Sequence, residues 1–292
     1  MADPVVAQVP CKVNLHLGVH AGRDARGYHR VDSLMVPVAL FDTVTVEDAP
    51  ELSVSFSPAL SIPVEKSGVW RAAALLAEAL GERPLVRVSV TRRIPGSAGL
   101  GSSSADAGAA LRLLAERWGI DPRDPRVVEV ARRIGADVAF FLDPRPGLYV
   151  GGGDVLEREL TAPELPLALV MPRAEGGSTP EAYAEFDRSG GEPDDPAPLV
   201  AALLAGDVSG IAAGLHNNLA PAACALCPEA GEVEAWLRER PGVLAAQITG
   251  SGTCSFAICV SADAADAVAA DAAARGWRSW STKTLGSATE VC

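Results

Sequence analysis

One segment constrains this 292-residue chain more than any other: Ile94-Pro-Gly-Ser-Ala-Gly-Leu-Gly-Ser-Ser-Ser-Ala-Asp-Ala-Gly108. A β-branched run, Leu85-Val-Arg-Val-Ser-Val90, precedes it and predicts a strand. An Ala/Leu-rich segment with Leu111, Leu114 and Trp118 at helical spacing follows it. A strand, a glycine-rich turn and a helix start in that order make an anion site. Small residues let the backbone approach a ligand, and the helix start offers open N–H groups at the positive end of its dipole. Ser102, Ser103 and Ser104 add hydroxyls suited to phosphate oxygens. No Gly-Lys-Ser/Thr follows the glycines, and the spacing is not Gly-x-Gly-x-x-Gly, so this is neither a Walker loop nor a dinucleotide fingerprint. The competing reading is a flexible linker with an ordinary serine cap. The ordered flanks argue against it.

Two other segments carry chemistry. Lys12 and Asn14 lie two apart in the β-branched run 5–19, so a strand puts both on one face. A lysine beside an asparagine can hold a phosphate oxygen and a hydroxyl, although taken alone the spacing is better explained by one exposed polar face of an edge strand. Asp137 stands inside the apolar run Ile134-Gly-Ala-Asp-Val-Ala-Phe-Phe-Leu142. A carboxylate there needs a partner or a task, or it caps a short helix.

Composition narrows the classes. Lys and Arg total 25 against 37 Asp and Glu, a net charge of −12, which argues against a protein that coats nucleic acid or an anionic membrane. A hydrophobic share of 48% excludes a disordered chain. Only Lys12, Lys66 and Lys283 are lysines, which raises interest in the one inside a motif. The N-terminus lacks a basic start followed by an apolar stretch, and no apolar run reaches the roughly 18 residues of a membrane span. Cys11, Cys224, Cys227, Cys254, Cys259 and Cys292 are too sparse for a disulfide framework. Cys224-x-x-Cys227 has no second ligand pair for zinc and reads as plain buried or half-buried thiols. These features predict a soluble, reduced, cytoplasmic protein.

Along the chain, strands are predicted at 5–19, 31–47, 53–56, 85–90, 148–150, 167–171, 243–249, 254–260 and 277–284. Helices are predicted at 68–80, from the Gly/Ser loop to Trp118, and at 124–134, 199–205, 208–215, 229–239 and 262–275. Residues 20–30 read as a loop or hairpin and 187–198 as a surface loop. Mixed elements without strict βαβ alternation predict an α+β chain in two halves with a boundary near 160.

Taken together, the motifs resemble those of the GHMP kinase family. Pro10-Cys-Lys12-Val-Asn14 resembles its first motif. Pro95 to Ala105 resembles its Pro-x-x-x-Gly-Leu-Gly-Ser-Ser loop, and Thr249-Gly-Ser-Gly-Thr253 its C-terminal glycine loop. Gly27-Tyr28-His29, Ser178-Thr179-Pro180-Glu-Ala-Tyr183 and Asn217-Asn218-Leu-Ala-Pro221 resemble the branch whose acceptor is a cytidine diphosphate sugar-alcohol. The sequence departs from that branch with Ser at 102 and 103 for Gly, Ala139 for Pro, and Ser67 where an Asn commonly helps hold adenine.

The resemblance implies a two-domain fold, residues 1–161 and 162–292, with the active site in the cleft between domains. It implies ATP and the sugar-alcohol as small-molecule substrates, Mg²⁺ with its ligands left open, and no nucleic-acid or membrane partner, in a monomer or homodimer. Lys12 and Asp137 would be catalytic. Pro95, Gly96, Ser97, Ala98, Gly99, Leu100, Gly101, Ser102, Ser103, Ser104 and Ala105 would hold ATP. Asn14, Tyr28, His29, Thr179, Tyr183, Gly250, Ser251 and Gly252 would hold the acceptor: the two tyrosines sandwich the cytosine, His29 bonds its edge, and the third loop lines the diphosphate. Arg23, Arg26, Arg92 and Arg93 would assist at the rim. His16 and His20 match nothing in the family and are expected on the strand surface. A sister kinase for homoserine or mevalonate, or a non-catalytic nucleotide-binding paralogue, are the alternatives.

Overall fold

The β-branched start of the chain forms a long antiparallel pair, β1 (Val5–Arg23) and β2 (His29–Asp48), joined by a tight turn. The pair is the centre of a seven-stranded sheet in a computed structural model that describes residues 3–286. On the far side of β2 lie β4 (Val86–Thr91), with β3 (Ser53–Ser57) parallel to it, and β5 (Gly147–Val150), which pairs with β6 (Val155–Glu159). On the far side of β1, the two-residue β8 (His216–Asn217) pairs in parallel with His16 and Leu17. Helices α1 (Gly68–Leu80), α2 (Ser102–Arg117) and α3 (Pro125–Ile134) bury Val69, Leu76, Leu111, Leu114, Val127 and Val130 in the core that also takes Val13, Val36 and Val44 from the sheet.

A second, four-stranded antiparallel sheet has the order β11 (Arg278–Lys283), β7 (Pro166–Met171), β10 (Ser255–Cys259), β9 (Val243–Ile248). The two-residue strand period divides its cores. Leu167 and Leu169 face the main core, together with Phe256 and Ile258. Ala168, Val170 and Ala257 face α8 (Pro228–Arg238) and α9 (Ala262–Ala274) through Val233, Leu237 and Val268. Helices α4 (Thr179–Ser189), α5 (Ala197–Ala205), α6 (Val208–Ala213) and α7 (Ala220–Leu226) complete the second half.

Several expectations need correction. The predicted loop at 187–198 is shorter, because α4 runs to Ser189 and α5 begins at Ala197. α4, α7 and β6 are additional elements. His16 is not on the strand surface: it is 1% exposed, because β8 covers that edge of β1 and both faces are packed. Cys227 is a buried and Cys224 a half-buried free thiol, as read; Cys11, Cys254 and Cys259 are also buried free thiols, and Cys292 lies outside the described residues. No helix among the described residues is long and apolar enough to cross a membrane.

Candidate active site

The sequence signals converge on one cavity of about 740 Å³, lined from both halves of the chain. Its floor is β1. Lys12 and Asn14 point the same way, and the ammonium donates to Asn14 Oδ1 at 2.6 Å. Lys12 is 3% exposed, so its charge needs answering inside the protein. The answer comes from Asn14 and from Asp137 Oδ2, 3.5 Å away. Asp137 lies in a single 3-10 turn, Ala136–Val138, directly after α3. It does not cap that turn, contrary to the alternative reading.

Asn14 is fixed on every side. Its Nδ2 donates to Ser33 Oγ at 2.9 Å on β2. Its backbone N–H donates to Thr249 Oγ1 at 3.0 Å, and that hydroxyl donates to Asn14 Oδ1 at 3.3 Å. Ser33 and Thr249 were missed from the sequence. Ser33 carries no motif, and Thr249 stood in the third motif only as its edge.

The glycine-serine segment forms the next wall. Gly101 caps α2 in the left-handed conformation, φ 79°, and no side chain caps the helix start. The first turn, Ser102 to Ser104, therefore faces the cavity with its N–H groups and the positive dipole end. Pro95, Gly96, Ser97, Ala98, Gly99, Gly101, Ser102, Ser103 and Ser104 all line the cavity. Leu100 and Ala105 do not: both are fully buried core residues, and Leu100 contributes only its carbonyl, which accepts from the Lys12 N–H at 3.1 Å. The third loop packs directly on this one. Cys254 N–H donates to Ala98 O at 3.2 Å, and a Cβ on Gly99 (φ 75°) would overlap the Thr249 carbonyl. Asn217, of the Asn-Asn motif, holds the third loop by donating to Gly250 O at 3.0 Å. Gly250, Ser251 and Gly252 line the cavity, with Lys12 Nζ beside Gly250.

The opposite end is aromatic. Tyr28 is 39% exposed, with the Arg26 guanidinium 5.2 Å from its ring centre. Tyr183 does not face Tyr28 as a free ring: it stacks on His29 at 5.5 Å. His29 is held through Nδ1, 2.9 Å from the His20 carbonyl oxygen. Its Nε2 lies 3.0 Å from Asp187 Oδ1, so that carboxylate partners the buried imidazole at the aromatic end. Thr179 opens α4 next to a Ser178–Glu181 capping box and shares a hydroxyl hydrogen bond of 2.8 Å with Ser251. Arg23, which lines the cavity, pairs with Asp187 and holds that carboxyl below its ordinary range. Arg92 lines the cavity; Arg26 and Arg93 do not, and Arg26 is taken up by Asp24 and Asp154. Ser67 caps α1 by accepting from Trp70 N–H and lies off the cavity wall, so its hydroxyl serves the helix.

A buried cation beside a carboxylate, next to an uncapped helix start, suits phosphoryl transfer to a small molecule. Comparison with known proteins gives the class: "GHMP kinases N terminal domain" matches residues 67–143 and "GHMP kinases C terminal" matches 199–278. A 4-diphosphocytidyl-2-C-methyl-D-erythritol kinase from Nocardia farcinica is 38% identical over 94% of this chain and 91% of its own length. A crystal structure of 4-(cytidine 5'-diphospho)-2C-methyl-D-erythritol kinase superposes with a TM-score of 0.78 at 31% identity, over 97% of this chain and 100% of that one. A homoserine kinase from Cytophaga hutchinsonii shares the fold alone, with a TM-score of 0.68 at 20% identity over 98% and 96% of the two chains. The chain belongs to the 4-diphosphocytidyl-2-C-methyl-D-erythritol kinase family of GHMP kinases.

Proposed function

We propose that this chain transfers the γ-phosphoryl group of ATP to the 2-hydroxyl of 4-diphosphocytidyl-2-C-methyl-D-erythritol, in the non-mevalonate route to isoprenoid precursors. The observation that carries the mechanism is the Lys12–Asp137 separation of 3.5 Å beside the uncapped start of α2. Family membership at 38% identity favours this acceptor over homoserine or mevalonate, because the homoserine kinase likeness extends to fold only.

In this mechanism the Asp137 carboxylate orients the acceptor hydroxyl and takes its proton as the oxygen bonds to the γ-phosphorus. The bond from that phosphorus to the bridging oxygen breaks, and ADP leaves. Lys12 stabilises the charge that spreads over the transferring group. Asn14 works mainly through Lys12, because its side-chain oxygen and one amide hydrogen are already engaged. The α2 start and the backbone from Pro95 to Ser104 cradle the ATP phosphates, and the Gly250–Gly252 loop meets the acceptor diphosphate. Tyr28 and the His29–Tyr183 stack line the end of the cavity that would take the cytosine.

Mg²⁺ suits the donors only as an ion carried on phosphate oxygens. Asp137 is the sole carboxylate among the described cavity-lining residues, and no group of three or more metal-ligating side chains occurs among the described residues. Asp137 would be its one carboxylate on the protein, and the ion would supply charge neutralisation. The five described free thiols suit a reducing, cytoplasmic setting.

The test is ADP release by purified protein given ATP with each acceptor in turn. We expect turnover with the cytidyl compound well above that with homoserine or mevalonate. Preference for either of those, or ATP binding without transfer to any acceptor, would reject the reading.

A further inference from the structure

Beneath the phosphate-binding loop, away from the Lys12–Asp137 pair, lie two acids with no role in the mechanism. Asp42 on β2 is 0% exposed and Asp106 on α2 is 2% exposed. Asp42 Oδ2 and Asp106 Oδ1 meet no N–H or O–H donor among the described residues, and the two carboxyls lie close enough to interact directly. Asp42 Oδ1 also accepts from two successive backbone N–H groups, those of Arg93 and Ile94, the latter at 2.8 Å. The Ile94 carbonyl in turn accepts from Ser102 Oγ at 3.3 Å. The stretch that leads from β4 into the loop is thus held at Ile94 from both sides. One side is the acid pair and the other is the first residue of the phosphate-facing helix.

Two carboxylates in contact and out of water cannot both ionise unless charge nearby compensates them. The titratable or charged groups that face the pair are Arg92, from the segment after β4, and the Cys11 thiol on β1. Burial pushes that thiol well up, so it stays neutral. One guanidinium balances one negative charge. Arg92 also lines the cavity, so the charge state beneath the loop is coupled to the charge presented to a ligand.

We infer that Asp42 and Asp106 share a single proton and act as positioning residues: the singly ionised pair holds Arg93 and Ile94, and through them the loop, in the geometry that ATP phosphates require. The inference rests on the assignment of this loop to phosphate. Burial and the neighbouring Asp42 push the Asp106 carboxyl up to about 8, so the shared proton is held at neutral pH and lost in mild alkali. The second ionisation leaves two negative charges against Arg92, loosens the anchor, and sets like charge against the phosphates. ATP affinity therefore falls as pH rises past about 8, while the chemical step falls less.

Two measurements test this. Infrared titration of the wild-type protein should show a protonated-carboxyl band at pH 7 that fades through about pH 8 and is missing in Asp106→Asn. Steady-state kinetics from pH 7 to 9.5 should show the wild-type KM for ATP rising several-fold, with kcat changing less; in Asp106→Asn, whose amide is neutral throughout, the KM ratio between those pH values should collapse to about one. Absence of the band in wild-type protein at pH 7, or an unchanged alkaline rise of KM in Asp106→Asn, overturns the inference. The infrared result needs no variant and no nucleotide. If wild-type protein bound no ATP at any pH, the phosphate assignment would fail, and with it the positioning role, while the band would still decide the shared proton.

Discussion

Lys12 is a charge taken out of water and answered by two oxygens, Asn14 Oδ1 and Asp137 Oδ2. In the proposed mechanism, Lys12→Ala would leave the transferring phosphoryl group without its cation, and Asp137→Ala would leave the hydroxyl proton without an acceptor. Each should lower kcat by at least about a hundredfold, with less change in the KM for ATP. Circular dichroism should show the native fold in both variants, and turnover near wild type in either would sink the assigned role. The spacing of two made Lys12 and Asn14 legible as a pair, and an acid inside an apolar run made Asp137 legible as a suspect. Ser33, Thr249 and the Asp42–Asp106 pair were not legible, since each is defined by a partner on another element.

Among the elements, the phosphate loop and the third glycine loop show backbone packing against backbone. Gly99→Ala forces a side chain into a left-handed position that also abuts the Thr249 carbonyl. It should destabilise the fold by about 1–3 kcal/mol and weaken ATP binding, read as a lower Tm and a higher ATP Kd; an unchanged value of both would mean that the loops are not in contact. At the start of α4, Ser178→Ala removes the side-chain half of the capping box, leaving the backbone N–H of residue 178 on Glu181, and should cost about 1 kcal/mol in urea unfolding. Strands such as β4 and helices such as α1 were read nearly to the residue from periodicity and from stops such as Gly81. α4 was not read as a helix, although Ser178 to Tyr183 were noted as a family motif. It is short, carries Pro180 in its first turn, and runs into a Gly/Pro/Asp-rich stretch that obscures its end.

For the molecule as a whole, the joint between the halves has its own pH dependence. His16 on β1 lies 5.0 Å from His216 on β8, ring centre to ring centre. Burial first, then the neighbouring His216, lowers its pKa from 6.5 to about 4. A histidine with a depressed folded pKa contributes stability that is present above about 6.5 and lost as pH falls through about 4. Thermal unfolding midpoints should therefore drop between those pH values, and the drop should be shallower in His16→Gln. An equally steep acid limb in the variant would assign the loss to other groups.

The sequence by itself determined the strand–loop–helix phosphate motif, the alternation of mixed strands and helices, and the Lys12–Asn14 face. These are local, set by the few residues around each position, and periodicity and turn chemistry read them directly. Only the tertiary structure decided that β8 buries His16, that His29 stacks on Tyr183, that Leu100 and Ala105 belong to the core, and that two distant aspartates meet beneath the loop. Each of these depends on which elements pack together, and a group's burial, charge and partners come from the far side of that packing.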